Sequence, residues 1–230
     1  MIERAPVVGA TPAPADRIRA DVEEAILSGR LAPGTRINAD ELARESGVSH
    51  IPVREALRSL EAEGWVVRRH NRGTYVRDRD SAELSDLFEA RLIVERKAAW
   101  LAAQRRTAAQ LDDLVRIVER QDATTDDAVL SAINCDFHVG LAGCAHNRVL
   151  ESMVADVNKR VRFYYLPTAG RRHGVSVAEH RAILDAVRDR DSERAADLLE
   201  LHIADTRAGA SRTLTAGEVD EAGTAGRQAG

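Results

Sequence analysis

The 230 residues carry 33 basic and 37 acidic side chains, for a formal net charge of −4; 44% are hydrophobic and only 3% aromatic. That length fits one or two domains, the composition is that of a soluble globular protein with an aliphatic core, and the charge excludes a uniformly basic nucleic-acid coat while leaving room for a focused basic patch. No apolar run approaches the ~20 residues of a membrane span, and residues 1–15 lack the basic-then-apolar order of a secretory signal. Cys135 and Cys144 fall on one expected helix with about 13 Å of rise between them, too far to bridge, as suits a reducing cytoplasm.

Residues 1–15, with Pro6, Pro12 and Pro14, read as a disordered arm. From 16 to 79 the signals are those of a small domain. Asp16 can cap a helix with Ile18, Val22, Ala25 and Ile26 on one face, stopped by Gly29 and Pro33-Gly34. Asn38 with Glu41 three residues on is a capping box for a short second helix that ends near Ser46-Gly47. Ser49 caps a third helix with Val53, Ala56, Leu57 and Leu60 as its apolar stripe, ended by Gly64. Residues 65–68 and 74–76 then read as a hairpin turning at Asn71-Arg72-Gly73. Three helices followed by a hairpin is the order of a winged helix-turn-helix. Residues 80–208 are different: the 3.6-residue period dominates over six segments, about 82–105, 108–121, 126–143, 147–166, 176–189 and 192–207, an all-helical second domain with Asn147 and Ser176 as caps. Residues 209–230 read as a disordered tail. The fold expected is mainly α, a winged helix-turn-helix joined to a helical bundle.

On the third helix His50, Arg54 and Arg58 recur every four residues, about 110° around from the apolar stripe. One side can pack on the first two helices while the other enters a major groove, where Arg54 and Arg58 offer the fork that fits guanine or phosphate. Ser49 lies at the helix N-terminus, a natural phosphate position. Residues 64–79 hold five Arg and one Asp, whereas 16–79 as a whole has 12 Arg against 11 acids, so the positive charge is concentrated on the hairpin. The plain alternative is a solvated helix face with Arg54 or Arg58 paired to Glu55 or Glu61.

The runs Pro33-Gly34-Thr35-Arg36-Ile37, Asp40-Glu41-Leu42-Ala43, Gly47 to Leu57, Leu60 to Gly64 and Arg72-Gly73-Thr74-Tyr75-Val76 resemble the DNA-binding domain of GntR-type bacterial transcription regulators. The resemblance implies an operator contact from Arg54, a minor-groove contact from Arg72 and Gly73 at the wing tip, and a DNA-facing set of Arg36, Ser49, His50, Arg54, Arg58, Arg72 and Gly73. The chain departs from the family at His50, commonly Arg or Lys, and at Asp40, an Arg in some branches.

In the helical segment Asn134 and His138 share a helix face, and an antiparallel pair of helices turning at 189–191 would bring His180 level with His202. Such a set could form a bundle-core metal site or be three unrelated histidines. Arg91-Leu92-Ile93-Val94-Glu95, Asn134 to His138, Glu179 to Val187 and Leu201-His202 resemble the FCD effector domain of the FadR branch, in its six-helix VanR-like subset. The resemblance implies a divalent transition metal, zinc or else nickel, held by Asn134, His138, His180 and His202, with Asn134 standing where metal-binding members carry Asp. It also implies a homodimer on double-stranded operator DNA and a small organic-acid effector met by Arg91, a task Arg160 and Arg162 could share. For Arg91 and Glu95 the alternative is a surface ion pair worth about 0.3–0.5 kcal/mol. Two rivals weigh less. A metal-free acyl-thioester sensor would not need three histidines. A metal-dependent enzyme would need a general base beside them, and none is evident.

Overall fold

Pro14 opens α1 (Pro14–Leu27), its missing N–H costing nothing in a first turn. The helix therefore starts two residues before the expected Asp16 cap, and Ala13 stands at its N-cap without a side-chain bond. The structure, a computed structural model, describes residues 12–227; the expected N-terminal arm lies, for residues 1–11, outside the described residues. The chain divides into two compact units, the first ending at Asp78 and the second beginning at Arg79.

In the first unit, Asn38 caps α2 (Ala39–Ser46) by accepting from the backbone N–H of Asp40 and of Glu41. Gly47, at φ 65°, closes α2 in the left-handed conformation that turns the chain into α3 (His50–Ala62). α3 lays Val53, Ala56, Leu57 and Leu60 against Ile18, Val22 and Ile26 of α1, all buried. A short strand that the sequence reading passed over, β1 (Arg36–Ile37), joins β2 (Val66–Arg69) and β3 (Gly73–Val76) in an antiparallel sheet ordered β1-β3-β2. Two residues give no readable alternation; pairing Ile37 opposite Thr74 is what fixes β1 as strand. Trp65, Val66 and Val76 turn the base of the wing into the core.

The second unit is six α-helices: α4 (Ser81–Arg105), α5 (Ala108–Asp122), α6 (Asp127–Gly143), α7 (Arg148–Tyr165), α8 (Ala169–Arg188) and α9 (Ser192–Arg227). Side-chain caps from Asp80, Thr107, Asp126 and Asn147 start the first four. A 3-10 turn, Leu166–Thr168, links α7 to α8. Two boundaries differ from expectation. α8 begins at Ala169 rather than 176 because Gly170 does not break it. Asp127 packs against the Gly170 backbone where a Cβ would stand, and Ser176, read as a cap, is a buried mid-helix residue that accepts from Gln121. α9 continues to Arg227 instead of stopping near 207 with a structureless tail. Ala210 is buried and Arg171 of α8 donates to Thr213, so the first turns of the extension are packed; residues 228–230 lie outside the described residues.

Candidate nucleic-acid interface and candidate metal centre

In the first unit the geometry separates the two sides of α3. With Val53, Ala56, Leu57 and Leu60 buried, His50, Arg54 and Arg58 are exposed in a row. The alternative pairing of those arginines with Glu61 does not form; Glu61 faces Arg68 at 3.6 Å. Among the described residues Arg54 and Arg58 have no ion-pair partner. Ser49 holds the N-cap position with extended backbone, yet its hydroxyl makes no cap hydrogen bond and stays available. The two departures from the family pattern meet: His50 Nδ1 lies 3.5 Å from Asp40 Oδ1, an exposed contact of little energetic weight.

The wing tip is held from within. Tyr75 donates its hydroxyl proton to Arg72 O at 3.0 Å, and the Arg69 guanidinium lies over the Tyr75 ring at 4.6 Å. Gly73 has φ 104°, and a Cβ there would stand 3.1 Å from Arg36 Nε. Glycine is required on both counts, and the contact places Arg36 beside Arg72 and Gly73 at one tip.

In the second unit, α6, α8 and α9 deliver His138, His180 and His202 to one point, with ligand nitrogens within 4.8 Å of one another. Two of the rings are hydrogen-bonded through Nδ1, and the third has a carboxylate beside it. His180 Nδ1 is 2.7 Å from Gln121 Oε1, and His202 Nδ1 is 2.7 Å from Glu179 Oε2. His138 Nδ1 stands 2.6 Å from Glu95 Oε2, poorly aligned for a hydrogen bond but close enough for charge. A proton on Nδ1 leaves Nε2 with its lone pair, and these face inward. His180 Nε2 is buried with no partner, and so is Asn134 Oδ1, one turn before His138. His138 Nε2 lies 3.1 Å from His202 Nε2. Two nitrogens each about 2.1 Å from one ion lie about 3.1 Å apart at an angle near 100°. The donor set therefore fits a divalent transition metal, with Gln121, Glu179 and Glu95 as the outer partners that such ligands use.

Electrostatics keep the imidazoles ready to ligate. Burial, then the neighbouring imidazoles, pushes His180 well below its ordinary value; burial and His138 do the same for His202. His138 is lowered by burial and by Arg91, against the pull of Glu95. Burial works against the charge of Glu95, but Arg91 and His138 outweigh it and hold its carboxyl well below the usual range.

Arg91 is wholly buried, which overturns the surface-pair alternative. Its Nε donates to Glu95 Oε1 at 2.6 Å, its Nη2 donates to His138 Nε2 at 2.6 Å, and its Nη1 has no partner. Asn158 Nδ2 adds 2.7 Å to Glu95 Oε1. Of the other arginines considered, Arg160 faces Glu83 at 3.5 Å and Arg162 donates to Ser131 at 3.3 Å. Gln121, Glu179 and Asn158 were not singled out from sequence. Only Glu179, adjacent to His180, had a signal that could have found it.

Residues 86–205 match the model of the FCD domain, and residues 14–76 that of the bacterial regulatory proteins of the gntR family. The chain is 32% identical to the Nta operon transcriptional regulator of Aminobacter aminovorans over 77% of this chain and 85% of that one. It is 26% identical to the galactonate operon transcriptional repressor of Escherichia coli K12, over 78% of this chain and 89% of that one. The solved structure of E. coli McbR/YncC shares the fold, with a TM-score of 0.77 at 19% identity over 88% of this chain and 99% of that one. Among the described residues no helix is long and apolar enough to cross a membrane.

Proposed function

Because this chain belongs to the GntR family of DNA-binding transcription regulators and carries an FCD domain, we propose that it is a cytoplasmic operator-binding repressor, released by a small carboxylate that binds with a metal at His138, His180 and His202. The observation that carries the reading is the convergence of three buried imidazoles whose Nδ1 atoms each meet a side-chain oxygen and whose Nε2 atoms face one another. Imidazole suits zinc, nickel, copper or iron, not calcium or magnesium, and Asn134 is the fourth candidate ligand.

Arg91 links the metal to the effector. The His138 Nε2 lone pair that now accepts from Arg91 Nη2 cannot also serve a cation. Metal binding therefore frees Nη2 while Nε stays on Glu95, and with the unpartnered Nη1 this leaves a guanidinium edge free for a carboxylate. The bound cation supplies a Lewis-acidic second contact for the same ligand. The galactonate repressor among the relatives is concerned with a sugar acid, in keeping with an acidic effector and with repression. On DNA, Arg54 and Arg58 would read the major groove, His50 would lie beside them, Ser49 would meet a phosphate, and Arg36, Arg72 and Gly73 would track the minor groove.

A homodimer is part of the proposal, since a palindromic operator needs two heads. α4 and α7 pack together, with Val94 and Leu150 against the shared cluster of Ala98, Ala142 and Val154, and leave Ile93 71%, Val149 71% and Met153 52% exposed, apolar side chains that a second copy would cover. Sedimentation of the full chain at micromolar concentration should give a dimer, and Ile93→Glu with Val149→Glu a monomer. Elemental analysis after chelator-free purification should find a transition metal. His138→Ala, His180→Ala and His202→Ala should lower both metal content and effector response while keeping basal operator binding. A chain that takes up no transition metal, even on reloading, refutes the site.

A further inference from the structure

A groove of about 330 Å³ lies between the start of α8 and the later part of α9, lined by Thr168, Arg171, Arg172, Gly209, Arg212 and Thr213. Among the described residues three guanidiniums and no carboxylate line it. Arg171 is exposed and donates only to uncharged oxygens, Pro167 O at 3.1 Å and Thr213 Oγ1 at 2.6 Å. Arg212 is exposed and has no ion-pair partner among the described residues. Only Arg172 is neutralised, its Nη2 lying 3.1 and 2.9 Å from the two Glu179 oxygens, while its Nε is buried without a partner.

Gly209 explains how Arg172 arrives there. Glycine inside a helix costs about 1 kcal/mol relative to alanine, but a Cβ at 209 would stand 3.2 Å from Arg172 Cδ. The bare backbone lets the Arg172 stem cross α9 and reach Glu179, whose Oε2 in turn holds His202 Nδ1 at 2.7 Å. Among the described residues the groove thus presents two positive charges without an acidic partner and a third shared with the outer partner of a candidate metal ligand.

We infer that this groove is a second, oxyanion-binding site for a carboxylate or phosphate group, coupled to the histidine cluster through Arg172, Glu179 and His202. Planar guanidiniums beside a hydroxyl are the donors such a group needs. An anion that draws Arg172 toward the groove leaves Glu179 more negative. A more strongly held Nδ1–H makes His202 Nε2 the better donor to a cation. Oxyanion and metal should therefore strengthen each other, by the same factor in both directions. The coupling rests on the metal reading proposed above; the oxyanion site does not.

Two titrations of the full chain test this at constant ionic strength. With EDTA-stripped protein, calorimetry should show saturable binding of inorganic phosphate, and of succinate as the carboxylate probe. Arg171→Ala with Arg212→Ala should weaken it at least tenfold, and His138→Ala should leave it intact. Wild-type binding in the double variant overturns the site, as does loss in His138→Ala, which would move the anion to the histidines. Arg212→Gln alone, one exposed change, should give a partial loss and guards against misfolding of the double variant. In the second titration, cobalt(II) affinity read from its visible absorption should rise about fivefold with saturating sulfate in the wild type and not in the double variant. Cobalt affinity indifferent to sulfate overturns the relay. If cobalt does not bind at all, the metal reading and the relay fall together, and the phosphate titration still decides the groove.

Discussion

Gln121→Leu separates a metal centre from a cluster of buried histidines. Gln121 is buried, accepts from His180 Nδ1 at 2.7 Å and donates to Ser176 Oγ at 3.2 Å. Leucine fills a similar space and leaves the His180 N–H buried and unpaired, a cost of about 1–3 kcal/mol. In a unit of this size that lowers the melting temperature of the metal-free protein by roughly 2–12 °C. Either tautomer of His180 is then open, so Nε2 no longer keeps its lone pair by default, and metal affinity should fall about 10–100-fold. Melting of EDTA-treated protein reads the first effect; competition for zinc against a chromogenic chelator reads the second. Gln121→Glu divides them further. A carboxylate in the same place is a better partner for a metal-bound imidazole, so zinc affinity should equal or exceed the wild type, while the metal-free fold suffers from a buried charge. If Gln121→Leu binds zinc within twofold of the wild type, His180 is a core residue and not a ligand.

Arg54→Ala should cost about 1–3 kcal/mol of operator affinity and relax base preference, whereas Arg72→Ala should weaken all sequences alike. Gel shifts at fixed salt on operator and scrambled duplexes would show this, and wild-type binding by Arg54→Ala would remove α3 from the groove. The metal-free fold should weaken below neutral pH. His180 and His202 are held neutral by burial first and by neighbouring imidazoles next, so the unfolded chain takes up protons below about 6.5 that the folded chain refuses. The loss is about 1.4 kcal/mol per pH unit for each ring, absent above that pH; equal urea midpoints at pH 7.5 and 5.5 would contradict it. Asn134→Asp should tighten zinc and weaken a carboxylate effector, because it adds a competing negative charge; calorimetry with zinc and then with the effector would show opposite shifts, and parallel shifts would remove Asn134 from the site.

What could be read from sequence was what period and punctuation encode. The apolar stripes of α1 and α3 and the Asn38 and Asn147 caps rest on local spacing, and the structure places them accordingly; the three histidines need an assumed helix pairing and the family resemblance, and they do cluster. Gln121 and Asn158 could not be read, because a polar residue late in an amphipathic helix looks solvated until another helix covers it. Arg91 stands out in the sequence, but its spacing to Glu95 is equally that of a surface pair; the packing of α6 and α7 on α4 makes it a buried one. The start of α8 differs from the expected 176: at Gly170 the bare backbone makes room for Asp127 and the helix runs from Ala169. The start of α8 therefore depended on a contact from α6, more than forty residues away in the chain.

The charges of the second unit close the argument about its ligand. Around the cluster Arg91 is matched by Glu95 and Arg172 by Glu179, and the three imidazoles are neutral. Asn134, an amide beside them, contributes no charge. A divalent cation entering this site would keep its full charge in a buried place, which is costly unless an anion follows it. In a chain with Asp at that position the protein supplies the anion itself and can hold metal permanently. On the proposed reading the missing charge would come from the effector, and occupancy by metal and by carboxylate would be interdependent. Arg91 would fit that logic: it donates to His138 Nε2, and a cation held by that nitrogen would leave the guanidinium free for an anion. On the proposed reading the histidines would hold the metal, and Asn134 and Arg91 would make the site responsive to an acid.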